Sequence, residues 1–143
     1  YDFIIIDCPP SLSLLTLNAL AAADGIIVPM QCEYFALEGL SSLINTINAL
    51  KQKLNPGLEI DGIIRTMFDI RNNLANAFSN ELTRHFGDVV FRTLVPRNIR
   101  LAEAPSHGQS ILNYDKGSRG AIAYMGLAGE VIRRTDAAVK ENV

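Results

Sequence analysis

Four polar segments in this chain contain residue types that bind phosphate, magnesium or a nucleotide base. They are residues 7–10 (Asp-Cys-Pro-Pro), 31–33 (Gln-Cys-Glu), 67–69 (Met-Phe-Asp) and 96–98 (Pro-Arg-Asn). Each lies at the end of an apolar run with the pattern of a strand. A strand that ends in aspartate can place a carboxylate beside Mg²⁺ bound to phosphates, which makes Asp7 a candidate for that role. On its own the signal is weak, because a strand-ending aspartate is more often a turn residue or a helix cap.

The segments that must position these residues alternate between strand and helix patterns. Strands are predicted at Tyr1–Ile6, Gly25–Pro29, Glu59–Phe68 and Val89–Val95, with a short edge strand at Ser110–Tyr114. The first predicted helix follows Ser11, which serves as its N-cap, and its apolar residues suit burial on more than one face. Three further helices are predicted at Leu37–Leu54, Asn72–Phe86 and Ser118–Glu141. The stretch Arg97–Gln109 is predicted to be irregular. This alternation predicts an α/β fold with a mainly parallel sheet and helices on both faces. The four polar segments should then lie along one edge, since the carboxyl ends of parallel strands meet there.

Length and composition limit the classes of protein to consider. The chain has 143 residues, of which 48% are hydrophobic and 20% charged, as expected for one globular domain over residues 1–143. No apolar run is long enough to cross a membrane, and no secretory signal precedes the first predicted strand. A first residue of Tyr1 instead of Met suggests a truncated sequence.

The cysteines and histidines do not form a recognisable metal or catalytic motif. Cys8 and Cys32 lack a CxxC spacing, which indicates free thiols in a reducing compartment. With His85 and His107 they also lack the spacing of a zinc finger. Cys8 as a nucleophile with His107 as base is disfavoured, because two prolines remove the N–H donors that stabilise a thiolate. Ser106 beside His107 is not part of a G-x-S-x-G nucleophile elbow, so a hydrolase is also disfavoured.

Three longer sequence motifs resemble those of the ParA/Soj family of chromosome- and plasmid-partitioning ATPases. They are residues 7–12 (DCPPSL), 31–39 (QCEYFALEG) and 96–108 (PRNIRLAEAPSHG), and the resemblance extends over nearly the whole chain. It implies a fold of the P-loop NTPase type that is incomplete here, with the N-terminal strand, the P-loop and the first helices upstream of Tyr1. Residues 1–143 would then be one domain, the C-terminal portion of a ParA-type ATPase (AAA_31 or CbiA-like).

The resemblance also implies roles for individual residues. Asp7 would be the Walker B aspartate, associated indirectly with Mg²⁺, and Pro9 and Pro10 would belong to the switch that senses the γ-phosphate. Glu33 would lie near an ATP-dependent dimer interface. The residues implied around the adenine are Met67, Asp69, Pro96 and Asn98. A plain turn is the alternative for the last two.

The family's glycine-rich phosphate loop, with its signature lysine, does not occur in these 143 residues. The glycines at 39, 117 and 120 do not form a substitute, because a P-loop needs a cradle of backbone N–H groups together with a lysine charge. We therefore expect this polypeptide alone neither to bind ATP tightly nor to hydrolyse it.

Positive charge is concentrated in the middle of a chain whose net charge is −2 and whose pI is about 5.6. The arginines concerned are Arg65, Arg71, Arg84, Arg92, Arg97 and Arg100. Such a stripe is sufficient for non-specific DNA affinity, because neutralising phosphates releases counterions whatever the base sequence. For any single arginine, a solvated loop side chain is the simpler interpretation. The resemblance singles out Arg71 and Arg100 as DNA-binding.

The same resemblance implies partners and a location. The partners are non-specific double-stranded DNA, a ParB/Spo0J-type centromere-binding protein that stimulates hydrolysis, and a second subunit in an ATP-bound homodimer. The location is cytoplasmic and nucleoid-associated, with no membrane partner. The alternative within the fold is a MinD-like membrane-associated ATPase, which the polar, mixed-charge residues 133–143 argue against.

Overall fold

The sheet of this protein is parallel throughout. The computed structural model describes residues 1–9, 11, 13–33 and 36–141. Within them, β1 (Gly25–Gln31), β2 (Glu59–Phe68) and β3 (Val90–Pro96) form a sheet in the order β1-β2-β3, with both neighbouring pairs parallel. The three interior strand predictions and the parallel arrangement are confirmed.

Helices connect the strands and continue after the last one. They are α1 (Leu14–Ala22), α2 (Ala36–Lys53), α3 (Asn73–Phe86), α4 (Ile99–Glu103), α5 (Ile111–Tyr114) and α6 (Arg119–Glu141), with short 3₁₀ turns at Gly87–Val89 and Ala104–His107. The ends of α3 follow local chemistry. The Asn72 side chain accepts hydrogen bonds from the first-turn N–H groups, and Gly87 leaves the helix with φ of 51°.

Both faces of the sheet are covered, and β2 shows this most clearly. Ile63, fully buried, packs in the cluster that Leu40 of α2 and Phe78 of α3 also join. Ile64, its neighbour in sequence, faces the other way and packs with Phe91 against Leu127 of α6. Side chains on successive strand residues point to opposite faces, so a strand buried on both faces reads as a continuous apolar run. The prediction of helices on both faces is confirmed.

The predicted strand at residues 1–6 is wrong. The described residues Tyr1–Pro9 form no helix or strand, and Ile4 and Ile5 are 80% and 91% exposed. The sequence has the β-branched composition of a strand, but a strand also requires a neighbour that completes its ladder of hydrogen bonds. Among the described residues no segment pairs with it.

Two expectations about α1 also fail. Its N-cap is Ser13 and not Ser11, since the Ser13 hydroxyl accepts from the Thr16 N–H, whereas the Ser11 carbonyl accepts from the Thr16 hydroxyl at 2.8 Å. The helix was expected to be buried on more than one face, yet none of its residues is buried. Asn55 holds its end, donating from its side-chain amide to the carbonyls of Leu20 and Ala23.

The predicted edge strand at Ser110–Tyr114 is helix α5. The Ser110 hydroxyl accepts a hydrogen bond from the Asn113 N–H at 3.3 Å, so the serine caps a helical turn. Short polar side chains bond to nearby backbone in this way and compete with strand formation. The stretch expected to be irregular at residues 97–109 likewise contains α4 and a 3₁₀ turn.

Candidate functional site

The carboxyl ends of the strands lie side by side, as their parallel arrangement requires. Gln31 at the end of β1 is in register with Thr66 of β2, and Phe68 at the end of β2 is in register with Pro96 of β3. The Arg97 N–H extends the last pairing by donating to the Phe68 carbonyl at 3.1 Å. Three of the four polar segments therefore share one edge. We call the part formed by residues 67–71 and 96–100 the β2–β3 edge.

Met67 has an unusual backbone at this edge. Its φ is 49°, the only positive value among the non-glycine residues that the structure describes, and its side chain is 48% exposed. The register between β2 and β3 shifts between Arg65 and Phe68, as it does at a β-bulge. Bulges and left-handed residues are enriched at binding sites, where they redirect a side chain. The geometry turns Met67 out of the ladder and leaves it accessible.

Asp69 and Arg71 form a two-pronged ion pair immediately after β2. The Arg71 Nε and Nη2 atoms donate to the two carboxylate oxygens at 3.0 and 2.8 Å, and the Arg71 N–H donates to Asp69 at 3.0 Å. The hydrogen bond from the Arg71 side chain, with that N–H and the charges of Arg71 and Arg97, lowers the pKa of Asp69 to about 2. Both side chains are in contact with solvent, so the pair organises the loop and adds little to stability.

The loop after β3 repeats this arrangement with different residues. Asn98 caps α4, its side-chain oxygen accepting from the Arg100 N–H at 2.9 Å. The Arg100 guanidinium donates to Glu103 at 2.9 Å and lies 3.5 Å from the Asp115 carboxylate. Tyr114 donates its hydroxyl to the same Glu103 oxygen at 3.2 Å. Arg71 and Arg100, the two predicted DNA-binding arginines, thus each hold an intramolecular carboxylate.

Asp7 and Pro9 are not brought to the β2–β3 edge by any described contact. Both are exposed, and residues 1–9 make no hydrogen bond or ion pair with the described strand ends. Pro10, the second predicted switch residue, lies outside the described residues. Glu33 follows β1, where its exposed side chain lines an open groove between β1 and α2. Their predicted roles remain predictions.

Asp7 is the residue of this chain predicted to serve Mg²⁺ in a nucleotide site. Mg²⁺ in nucleotide sites takes one or two carboxylates, with phosphates and water as its other ligands. Asp7 has an exposed carboxylate, which fits the one or two carboxylates that such a Mg²⁺ coordination shell requires. Among the described residues, no group of three or more His, Cys, Asp or Glu side chains is arranged to hold a metal ion by itself. A single carboxylate of this kind fits a Mg²⁺ ion whose other ligands would be phosphates and water.

The other arginines divide by environment. Arg65, a residue of β2, is buried between the sheet and α3, where its guanidinium donates to the Ser79 hydroxyl at 2.7 Å and to the Phe91 carbonyl. Its Nε has no hydrogen-bond partner in the described part of the chain. Burial lowers the pKa of Arg65, partly offset by Cys32 and Glu130. Arg84 pairs with Glu81 on the outer surface of α3. Arg65 therefore has a structural role and does not belong to an exposed basic stripe.

Sequence reasoning missed a buried contact between α6 and β3. The Glu130 carboxylate, on a residue 8% exposed, accepts from the N–H groups of Arg92 and Thr93 at 2.8 and 3.0 Å. One turn later Arg134 donates to the Val90 carbonyl and to Glu130, and its guanidinium lies 4.2 Å from the centre of the Phe91 ring. A Glu and an Arg spaced i,i+4 were visible in the sequence. Only the packing of α6 shows that they face the strand.

Comparisons with known proteins show what the chain is similar to. The AAA_31 family model, described as an AAA domain, matches residues 1–60. The sporulation initiation inhibitor protein Soj of Bacillus subtilis is 55% identical over 92% of this chain and 52% of its own length. The chromosome partitioning protein ParA of Myxococcus xanthus is 55% identical over 94% of this chain and 47% of its own length. The chain thus spans about half the length of the curated relatives it matches.

A solved structure supports the fold independently. Cobyrinic acid a,c-diamide synthase from Mycobacterium smegmatis, with bound ADP and magnesium, aligns with a TM-score of 0.72 and 32% identity. The alignment covers 92% of this chain and 47% of that one. No helix in the described part of the chain is long and apolar enough to cross a membrane.

Proposed function

Because this chain belongs to the Soj/ParA family of chromosome-partitioning ATPases, we propose that it is the nucleotide-edge and DNA-binding portion of an ATP-dependent partition protein. The identity of 55% to Soj and to ParA supports this assignment. The main structural observation in its favour is the β2–β3 edge. Met67, Asp69, Pro96 and Asn98 end or follow two strands that lie side by side, Phe68 in register with Pro96.

The proposed site uses each of these residues in a defined way. The accessible Met67 side chain and the loops at Asp69 and Asn98 surround the adenine, with Pro96 fixing the end of β3. Asp7 holds Mg²⁺ indirectly, and Pro9 and Pro10 respond to the γ-phosphate. ATP with Mg²⁺ supplies the anhydride whose hydrolysis drives the cycle. Glu33 lies at the interface of the ATP-bound homodimer.

Nucleotide binding is tested by calorimetric titration of ATP with Mg²⁺ into two polypeptides. One consists of these 143 residues, and the other is the complete product of the gene. We expect binding only by the complete product, because the 143 residues contain no glycine-rich phosphate loop. Tight binding by the 143 residues alone would contradict the proposal that ATP binding also requires a phosphate loop outside these residues. Binding by neither would remove ATP from the proposed function.

DNA binding is the second part of the proposal, with Arg71 and Arg100 contacting phosphates of double-stranded DNA. Both follow neighbouring strands and both side chains reach solvent. Phosphate contacts of this kind are independent of base sequence and weaken with salt. We propose that an ATP-bound dimer presents two such surfaces and that a ParB/Spo0J-type protein stimulates hydrolysis and release, placing the protein on the nucleoid in the cytoplasm.

Substitution of Arg71→Ala or Arg100→Ala should weaken retention on DNA while leaving ATP affinity intact. The matched control is Arg84→Ala, which removes the same charge from another exposed arginine in an i,i+3 pair, as Arg100 is with Glu103. Retention is measured in the complete protein with ATP and Mg²⁺. Equal retention by all three variants and the parent would exclude Arg71 and Arg100 from the DNA surface.

A further inference from the structure

Arg97 belongs to the β2–β3 edge, as Arg71 and Arg100 do, but differs from those two paired arginines in one respect. Its side chain is exposed, and among the described residues its guanidinium makes no hydrogen bond or ion pair. Arg71 holds Asp69, and Arg100 holds Glu103 with Asp115 nearby. Arg97 is therefore the one arginine of this edge whose donors are uncommitted within the described part of the chain.

The backbone holds Arg97 beside the Asp69–Arg71 pair. Its N–H donates to the Phe68 carbonyl at 3.1 Å, directly before Asp69 in sequence. The preceding Pro96 is in register with Phe68. The charge of Arg97 also contributes, after the bonds from Arg71, to lowering the pKa of Asp69. Three arginines thus belong to one edge, and a hydrogen bond to Phe68 fixes the backbone position of Arg97.

We propose that Arg97 is a third phosphate-contacting residue of the DNA surface and that it binds phosphate without displacing an internal carboxylate. The inference rests on the proposed DNA-binding function. A phosphate that reaches Arg71 or Arg100 competes with an existing ion pair, whereas Arg97 has no carboxylate partner among the described residues that a phosphate would have to displace. A guanidinium presents several N–H donors in a geometry that matches phosphate oxygens. The contact of Arg97 with a phosphate therefore contributes more to DNA affinity than the contact of Arg71 or of Arg100.

The test compares Arg97→Gln with Arg92→Gln in the complete protein with ATP and Mg²⁺. Arg92 is also exposed, without an ion pair in the described chain, and lies near the opposite end of the same strand. The two variants have the same net charge and differ only in where the charge is lost. Affinity for a short duplex of arbitrary sequence is measured over a range of salt concentrations.

We expect Arg97→Gln to lower the magnitude of the slope of log affinity against log salt by about 1 per contacting arginine. The affinity at moderate salt should fall roughly five- to tenfold. Arg92→Gln should leave the slope unchanged. Arg97→Lys should restore most of the slope, because the ammonium retains the charge. ATP affinity measured in parallel shows whether each variant retains its fold.

Arg71→Gln, measured alongside, separates the two proposals. If Arg71→Gln weakens binding and Arg97→Gln does not, Arg97 is not a contact while the DNA surface stands. If Arg71→Gln, Arg97→Gln and Arg100→Gln all bind DNA as tightly as the parent, the proposed DNA-binding function itself fails. Equal losses in Arg97→Gln and Arg92→Gln would show an effect of net charge and overturn the assignment of Arg97.

Discussion

At the scale of single residues, Met67 has the most unusual backbone of the β2–β3 edge. Met67 has φ of 49°, a conformation that costs an ordinary side chain roughly 1–2 kcal/mol. The residue is 48% exposed, so burial of its side chain offsets only part of this cost. Strain of this kind persists where the surrounding structure imposes it, and it is concentrated at binding sites. We interpret the backbone of Met67, which departs from the hydrogen-bond ladder between β2 and β3, as a feature that places its side chain at the proposed adenine site.

The strain predicts that Met67→Gly is more stable than Met67→Ala, by about 1 kcal/mol. Both substitutions remove the side chain, so the comparison isolates the backbone conformation, which glycine adopts without a Cβ clash. Urea denaturation of the two variants measures the difference. Thr66, the preceding strand residue, has no positive φ and provides the control, since there the alanine variant should be the more stable. The same order at both positions would contradict the strained conformation.

At the scale of elements, the contact between α6 and β3 protects the open edge of the sheet. β3 is an outer strand of the sheet that the described residues form, and an unpaired strand edge invites association with other chains. Glu130 accepts the free N–H groups at 92 and 93, while Arg134 donates to the carbonyls of Val89 and Val90. The helix thus supplies both kinds of partner that a further strand would have provided.

The ionisation of Glu130 should make stability depend on acid pH. Burial raises the pKa of this carboxyl, but the hydrogen bonds from Arg92, Thr93 and Arg134 outweigh it and hold the pKa at about 2. A folded pKa below the ordinary value of 4.5 means that stability is present above pH 4.5 and is lost as pH falls toward 2. The full difference corresponds to about 3 kcal/mol.

Glu130→Gln should therefore destabilise the protein near neutral pH and remove much of the loss between about pH 4.5 and pH 2. An amide cannot stand in for the carboxylate, because its NH₂ group would face backbone donors. Glu81→Gln is the control, because Glu81 is on the outer surface of α3, where an ion pair contributes little. Chemical denaturation at several pH values gives both results. A Glu130→Gln profile parallel to the parent's would show that Glu130 does not control this transition.

At the scale of the whole molecule, apolar surface is unevenly covered. The exposed apolar residues at the start of the chain include Ile4 (80%), Ile5 (91%), Leu14 (78%) and Leu15 (75%). The outer edge of β1 has no neighbour among the described strands. Exposed apolar surface and an open strand edge both favour association.

A polypeptide of these 143 residues should therefore self-associate as its concentration rises. Ile4→Lys combined with Ile5→Lys should reduce the association, because burying a lysine charge opposes contact. Ile122→Lys, at a residue on α6 that is 62% exposed, should have little effect. Sedimentation velocity at several concentrations distinguishes the variants. Monomers at all concentrations would exclude association through this surface.

The sequence by itself determined the elements whose signals are local and strong, together with the type of sheet. β2 was predicted with its observed ends, Glu59 and Phe68, because its apolar run is covered on both faces. Helix α3 was predicted to within one residue, since Asn72 and Gly87 mark its ends chemically. The parallel arrangement followed from the alternation of these elements, and it brought residues 67–69 and 96–98 to one edge.

The tertiary structure alone decided which polar groups meet and which apolar runs find a partner. The run at residues 1–6 is apolar enough for a strand, yet strand pairing depends on a neighbour that is distant in sequence. Six arginines looked alike in the sequence, but the fold buries Arg65, pairs Arg71, Arg84 and Arg100 with carboxylates, and leaves Arg92 and Arg97 without an ion pair among the described residues. An arginine's environment depends on the carboxylates and carbonyls that other elements bring to it, and residue type and local spacing do not contain that information.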